Sequence, residues 1–89
     1  MFINEWLADA NVCEDAGTEW VLKYYLRIDE NQCYGFRVEK YSITGERLET
    51  EVTPPLTDSR DKAQAMAQAL INGTVTPFVL MEIVEELYF

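Results

Sequence analysis

Residues 18–29 read TEWVLKYYLRID and decide the fold. Every second side chain in this stretch is apolar, namely Trp20, Leu22, Tyr24, Leu26 and Ile28. A period of two is typical of a β-strand with one buried face, because successive side chains point to opposite sides of the pleat. Residues 29–32 are polar, and alternation resumes over residues 34–38. The two runs therefore predict a β-hairpin.

A third strand follows this hairpin. Gly45 provides the positive φ that a tight turn needs, and residues 47–52 then alternate again in a more polar strand. Pro54 and Pro55 remove two backbone donors in succession, so the sheet is expected to end before them.

The N-terminal segment, residues 2–12, is less regular than the other strands. Phe2, Trp6, Ala8, Ala10 and Val12 fit a strand loosely, while Ile3, Trp6 and Leu7 also fit a turn of helix. We favour a strand that pairs with residues 18–29 across the loop at residues 14–17. The strand meander is thus predicted over residues 1–53.

The C-terminal third predicts two amphipathic helices, at residues 58–72 and 77–88. In the first, Asp58 is the expected cap and Asn72-Gly73 the expected left-handed stop. In the second, Thr76 is the expected cap before Pro77. The inner stripes are Ala63, Met66, Ala67, Leu70 and Ile71 in the first helix, and Leu80, Ile83, Val84 and Leu87 in the second.

Strands followed by helices indicate an α+β fold. We expect an antiparallel meander of three to four strands with the two C-terminal helices packed on one face. The 89 residues suffice for one core only, so residues 1–89 are predicted to form a single domain.

The composition argues against two classes of partner. Sixteen acidic and seven basic residues give a net charge of −9, which repels nucleic acid and anionic membrane surfaces. The first ten residues carry acids where a signal peptide needs positive charge. We therefore expect a cytoplasmic protein with no nucleic-acid partner and no membrane partner.

The side chains that catalysis or metal binding needs are poorly represented. The chain has no histidine, so neither a zinc site nor a Ser-His pair is expected, and Cys13 and Cys33 are taken as free thiols. A disulfide between the two cysteines remains the alternative for a secreted chain. Two acidic groups, Asp58 with Asp61 and Glu82 with Glu85 and Glu86, are better explained by capping and solubility. We expect no enzyme activity, no catalytic or metal-binding residue and no cofactor.

Three short motifs suggest a family. They are KYYL at residues 23–26, YGF at 34–36 and VTP at 75–77, the last leading into Leu80, Ile83, Val84, Glu85 and Glu86. With these motifs the chain resembles a family of short, uncharacterised bacterial proteins, a domain of unknown function found mainly in anaerobic Gram-positive bacteria. The resemblance covers residues 19–88 and leaves the N-terminal segment outside. It implies the same fold and no particular activity.

The side of the sheet away from the helices is the candidate interaction face. We expect Lys23, Tyr25, Arg27, Arg37 and Tyr41 there, joined by Val21 and Arg47. Tyrosine and arginine are enriched at interface hot spots, so this side suits a protein partner. The alternative, which the sequence favours, is a solvated charge ladder in which these bases pair with Glu19, Glu39, Glu49 and Glu51. The double change Tyr25→Ser with Arg37→Ser is expected to leave the fold largely intact and to weaken self-association or partner binding.

Three hypotheses for function follow. The leading hypothesis is a small non-enzymatic protein that binds another protein, or itself, through this side of the sheet or an edge strand. The second is a nucleic-acid mimic that binds a basic protein. The third is a small-molecule sensor with a pocket between helices and sheet, lined by Trp20, Tyr24, Phe36 and Met66.

Overall fold

A computed structural model describes residues 2–13 and 17–88. The strands are β1 (Ile3–Cys13), β2 (Glu19–Ile28), β3 (Tyr34–Ser42) and β4 (Arg47–Val52), and the helices are α1 (Arg60–Asn72) and α2 (Leu80–Tyr88), the latter preceded by one 3-10 turn (Pro77–Val79). The predicted α+β meander with two C-terminal helices is confirmed. Most of the loop predicted at residues 14–17 lies outside the described residues.

The four strands form one antiparallel sheet in the order β1-β2-β3-β4. The N-terminal segment is therefore a strand, as favoured. Two bulges interrupt the regular alternation: one at Leu7 in β1, between Trp6 and Ala8, and one at Leu48 in β4. A bulge adds one residue on one strand, so it reverses which later side chains point to each face.

The core lies between one face of the sheet and the two helices. Tyr24 crosses this core, and its hydroxyl donates a 2.9 Å hydrogen bond to the carbonyl of Val75. That bond satisfies the polar end of a side chain whose ring is fully packed. The buried core side chains are Leu22, Tyr24, Leu26, Tyr34, Phe36 and Val38 from the sheet, and Ala63, Met66, Ala67, Leu70, Val75, Leu80 and Val84 from the helical part.

The caps at both ends of α1 differ from the prediction, although the helix ends at Asn72 as expected. The cap is Ser59 rather than Asp58, because the Ser59 hydroxyl accepts a bond from the backbone N–H of Lys62 and the helix begins one residue later. Gly73 keeps a right-handed backbone with φ −84°, and Thr74 takes the left-handed conformation with φ 51°. The helix ends at Asn72, and the left-handed residue after it is Thr74 rather than the expected glycine.

Two expectations for the second helix are also wrong. Thr76 has an extended backbone, but its side chain makes no capping bond to the 3-10 turn that follows. The tighter turn takes the place of the first α-helical turn, so the capping geometry of an α-helix is not formed there. Leu87 is 48% exposed, so it is not part of the buried stripe of α2.

Cys13 and Cys33 lie at opposite ends of the sheet. Cys13 pairs with Glu19 at the start of β2, whereas Cys33 precedes Tyr34, which pairs with Ile28 at the end of β2. Nine residues of strand separate the two ends by roughly 30 Å. A disulfide between them within one chain is therefore excluded by distance, and both thiols are free.

Gly35 marks a close approach between β3 and the chain that follows β4. A β-carbon built at this position would lie 2.7 Å from the carbonyl oxygen of Pro54 and 2.8 Å from the Thr53 hydroxyl oxygen. We expect Gly35→Ala to lower the free energy of unfolding by about 1 to 2 kcal/mol, because backbone must move to admit the methyl group. Urea unfolding of the variant measures this, and an unchanged midpoint would contradict the close approach.

Candidate functional site

The helices pack on the face that carries Leu22 and Tyr24. In the described part of the chain no helix covers the opposite face, and its end at Gly35 is covered by Thr53 and Pro54. We call this opposite side the open face. Strand pairing places three rows of side chains across it. From β1 to β4 the rows are Trp6, Tyr25, Arg37 and Val52; Asp9, Lys23, Glu39 and Thr50; and Asn11, Val21, Tyr41 and Arg47.

The first row brings together three residue types that dominate binding energy at interfaces. Trp6, Tyr25 and Arg37 are direct neighbours across β1, β2 and β3. Trp6 is 59% exposed although it is a large aromatic side chain. Its indole N–H donates a 2.9 Å bond to Asp9, three residues along the same strand, which the bulge at Leu7 places on the same face. The ring orientation is thus fixed while its surface stays accessible.

Glu39 is a buried carboxylate at the centre of the open face. Only 5% of the residue is exposed, although it lies on the uncovered side. Arg37 donates to one carboxylate oxygen through Nε at 3.0 Å and Nη2 at 2.7 Å, and the Tyr41 hydroxyl donates to the other at 2.9 Å. Arg47 Nη1 lies 3.5 Å away. These partners bury Glu39 and are held in place by it.

This network changes the acidity of its members. Burial by itself raises the pKa of Glu39, but the hydrogen bonds from Arg37 and Tyr41 and the charges of Arg37 and Arg47 outweigh it, so the pKa is lowered below its usual value. Burial, together with the nearby Glu39 carboxylate, raises the pKa of the Tyr25 and Tyr41 hydroxyls. Glu39 is therefore an ionised anchor, and both phenols stay protonated donors.

Lys23 sits beside a shallow concavity on this face. Its ammonium lies 3.5 Å from the Asp9 carboxylate and 5.7 Å from the centre of the Tyr41 ring. The concavity has a volume of about 400 Å³, and its lining residues are Val21, Lys23, Tyr25, Tyr41, Ser42, Ile43 and Gly45. It combines apolar walls with one cation and two phenols, which suits a side chain inserted from a partner.

Arg27 has a structural role instead. Its guanidinium stacks on Phe2 at 3.8 Å, and Nη1 donates a 3.1 Å bond to the carbonyl of Thr53. The side chain thereby crosses over Gly35, its direct neighbour on β3. Arg27 joins β2 to the end of β4 and is less available to a partner than Lys23 or Arg47.

All five predicted residues, Lys23, Tyr25, Arg27, Arg37 and Tyr41, lie on the open face. One expectation about their surroundings is wrong. Glu49 and Glu51 face the helix side, because the bulge at Leu48 places them opposite Lys40 and Val38. Arg37 is the main partner of a buried carboxylate, so we now expect its replacement to cost stability.

The prediction missed Trp6. In a regular strand Trp6 would share a face with Ala8 and Ala10, which point to the core. The bulge at Leu7 places Trp6 on the open face instead. The one signal in the sequence was the loose alternation of residues 2–12. The residues that the structure describes contain no group of three acidic, cysteine or histidine side chains that could hold a metal ion. None of their helices is long and apolar enough to cross a membrane.

Comparison with known proteins identifies a family. A family model described as a family of unknown function, DUF6514, matches residues 3–88. The chain belongs to the DUF6514 family. No curated protein and no solved structure matches it. The DUF6514 match begins at the first residue of β1, so the N-terminal segment, which the resemblance left outside, is part of the family domain.

Proposed function

We propose that this DUF6514 protein is a non-enzymatic protein that works by binding another protein chain through its open face. The bacterial origin and the cytoplasmic location expected from the sequence belong to the same proposal. The observation that carries it is the first row of the open face, in which an exposed tryptophan stands beside a tyrosine and an arginine.

Several side chains of the open face are already held in place, which supports binding to a partner rather than a solvated ladder of ion pairs. Tyr25, Arg37 and Tyr41 surround a buried, ionised Glu39, so their positions are set before any partner arrives. Side chains that are already ordered lose less entropy on binding. A ladder of exposed ion pairs needs no buried carboxylate and leaves no large aromatic ring uncovered.

The hydrogen bonds around Glu39 also argue for a non-enzymatic role. A general base needs a carboxylate with a pKa near the working pH and a lone pair directed at a substrate. Glu39 has a lowered pKa, and both of its oxygens accept hydrogen bonds from the protein.

In the core, Tyr24 and Phe36 are fully packed, so they fill the space between helices and sheet that a sensor's pocket would need.

Binding is tested with a matched pair of aromatic variants. Tagged wild-type protein, Trp6→Ala and Phe78→Ala are each used to capture partners from lysate of the cells that produce the chain. Phe78 is the control because it is 84% exposed and lies in the 3-10 turn that leads into α2. We expect Trp6→Ala to lose capture by about tenfold or more and Phe78→Ala to retain it.

The outcome that contradicts the proposal is equally specific. If Phe78→Ala abolishes capture and Trp6→Ala does not, the binding surface is on the helical side of the molecule. If both variants capture as wild type does, the open face takes no part in binding. Circular dichroism of each variant checks that the fold is retained.

A further inference from the structure

We propose that the outer edge of β1 is a docking site for an extended segment of another protein, in which basic and apolar side chains alternate. The segment adds a fifth strand to the four-stranded sheet through backbone hydrogen bonds. This goes beyond binding through the open face, because an edge can be occupied whether or not that face is. It follows from the hydrogen-bonding pattern of the sheet and from the side chains along β1.

The backbone groups that point outward from β1 follow from the bonds of β3. Phe36 donates its N–H to the Thr53 hydroxyl, and its carbonyl accepts a bond from the Thr53 N–H, so Phe36 bonds away from β2. Residues of an antiparallel sheet bond alternately to one neighbouring strand and to the other. Leu26, opposite Phe36, therefore bonds to Glu5 of β1, and Ala8 beyond the bulge is in step with Glu5. The residues of β1 whose N–H and C=O groups point outward are then Asn4, Trp6, Asp9 and Asn11.

These outward groups are open in the part of the chain that the structure describes. No backbone hydrogen bond there joins β1 to an element other than β2, and the four residues are all exposed. The strand Ile3–Cys13 is eleven residues long and contains no lysine and no proline, which natural sheets use to blunt an edge. The bulge at Leu7 divides the edge, so residues 8–13 form its longer regular stretch.

The opposite edge of the sheet, at β4, is protected. The strand has only six residues, Leu48 forms a bulge within it, and Pro54 and Pro55 follow it. The backbone N–H of Val52 donates to the Glu51 carboxylate at 3.1 Å. A short strand, a bulge, charge and proline all hinder the pairing of an edge with another chain. The contrast leaves β1 as the edge that can accept a strand.

Charge selects a basic segment for this edge. β1 carries Glu5 and Asp9 and no basic residue, in a chain of net charge −9. The Asp9 side chain is 43% exposed, and its ion pair with Lys23 is long at 3.5 Å. A lysine or arginine placed beside Asp9 on an added strand gains a cross-strand attraction, and one beside Trp6 can lie over the exposed indole. A second copy of β1 brings only acids to the same positions.

The helix side of β1 selects apolar side chains. Ala8, Ala10 and Val12 point to this side and are half-buried, and Ala10 and Val12 pack against the core. The two alanine side chains are small, so larger apolar side chains on an added strand cover surface that β1 leaves exposed. Successive side chains of a strand point to opposite faces, so basic residues on one face and apolar residues on the other make an alternating sequence.

Amide hydrogen exchange tests the direction of the backbone groups in the free protein. We expect the amides of Asp9 and Asn11 to exchange at least about tenfold faster than those of Ala8 and Ala10, because only the latter two bond to β2. NMR of the isotope-labelled chain measures the rates. Equal protection of the two pairs would mean that the edge is not open, and it would overturn the proposal.

Binding is tested with a fluorescent synthetic peptide in which lysine and valine alternate. We expect saturable binding in the micromolar range or weaker, since one added strand buries a small area, together with slower exchange of the Asp9 and Asn11 amides. One control peptide has glutamate in place of lysine, and the other is methylated at two adjacent central backbone nitrogens, which removes donors from both of its edges at unchanged charge. Each should bind at least about tenfold more weakly.

The two control peptides overturn different parts of the proposal. If the methylated peptide binds as well as its parent, charge alone attracts the peptide and no strand is added. If the glutamate peptide binds as well, the edge does not select a basic segment.

Proline variants on the two edges show which strand takes the peptide. Asn11→Pro removes an outward N–H from β1, and Thr50→Pro removes one from β4, where Thr50 is paired with Glu39 and is out of step with the residues that bond to β3. We expect Asn11→Pro to weaken peptide binding by at least about tenfold and Thr50→Pro by no more than about twofold. Equal effects would overturn β1 as the site. Circular dichroism checks both folds, and if either variant unfolds, the exchange of wild-type amides with peptide present decides instead.

The edge and the open face fail separately. Absence of saturable peptide binding overturns the edge as a docking site, while the capture comparison of Trp6→Ala with Phe78→Ala still tests the open face. Sedimentation of the free protein over a wide concentration range identifies the remaining occupant. A dimer that the peptide disperses would mean that a second copy fills the edge, and it would overturn a separate partner.

Discussion

Replacing Leu70 with alanine should lower the free energy of unfolding by about 2 to 5 kcal/mol. Leu70 is 1% exposed and lies in α1 against the sheet, in the same core as Tyr24 and Phe36. The truncation removes three carbons from close packing and leaves a cavity that the rigid sheet below cannot fill. In a domain of 89 residues such a loss is a large share of the total stability, so part of the population should be unfolded at 37 °C.

The matched control is Leu87→Ala, the same chemical change at a position that is 48% exposed in α2. We expect it to cost less than about 1 kcal/mol, because water already reaches much of the side chain. Thermal and urea unfolding of both variants measure the difference. Equal losses at the two positions would mean that the helices do not pack on the sheet as described.

The regular parts of the sequence predicted the fold well. The strand β2 and the stripe of α1 carry strict periods of two and of 3.6, and the buried Leu22, Leu26, Met66 and Leu70 lie where these periods place them. Periodicity succeeds here because one face of each element is wholly buried, so a shift of one residue would expose the entire apolar set. The five face residues were located by the same reasoning.

The errors come from features that periodicity does not encode. Each bulge inserts one residue, and neither Leu7 nor Leu48 differs in type from the residues of a regular strand. Trp6 and Glu49 were consequently assigned to the wrong faces. The cap of α1 was missed by one residue because Asp58 and Ser59 are both good caps, and only the geometry of the turn decides between them.

The burial of Glu39 could not be predicted either. The sequence places it among several acids on a polar side, where exposure is the usual outcome. Its burial depends on Arg37 and Tyr41 on the same strand and on Arg47 from β4, which reach it only in the folded register. The three side chains meet at Glu39 only in the folded structure, so the spacing of residues along one strand does not predict this cluster.

Replacing Glu39 with glutamine should lower the free energy of unfolding by about 2 to 3 kcal/mol at neutral pH, because hydrogen bonds to a charged acceptor are lost and Arg37 is left without its partner. The matched control is Glu49→Gln. Glu49 also pairs across strands, with Lys40 at 3.3 Å, but it is more exposed, and its loss should cost no more than about 0.5 kcal/mol.

The pH dependence separates charge from shape at Glu39. Its pKa is lowered in the folded state, so its ionised form contributes stability above the pKa of the unfolded chain, and that contribution is lost as the pH falls through the folded value. Glutamine cannot titrate, so the difference in stability between wild type and Glu39→Gln should be full at neutral pH and shrink on acidification. Urea unfolding at a series of pH values measures it. A difference that stays constant down to the acid limit would mean that Glu39 acts through packing alone, and the ordering of Arg37 and Tyr41 on the open face would then need another cause.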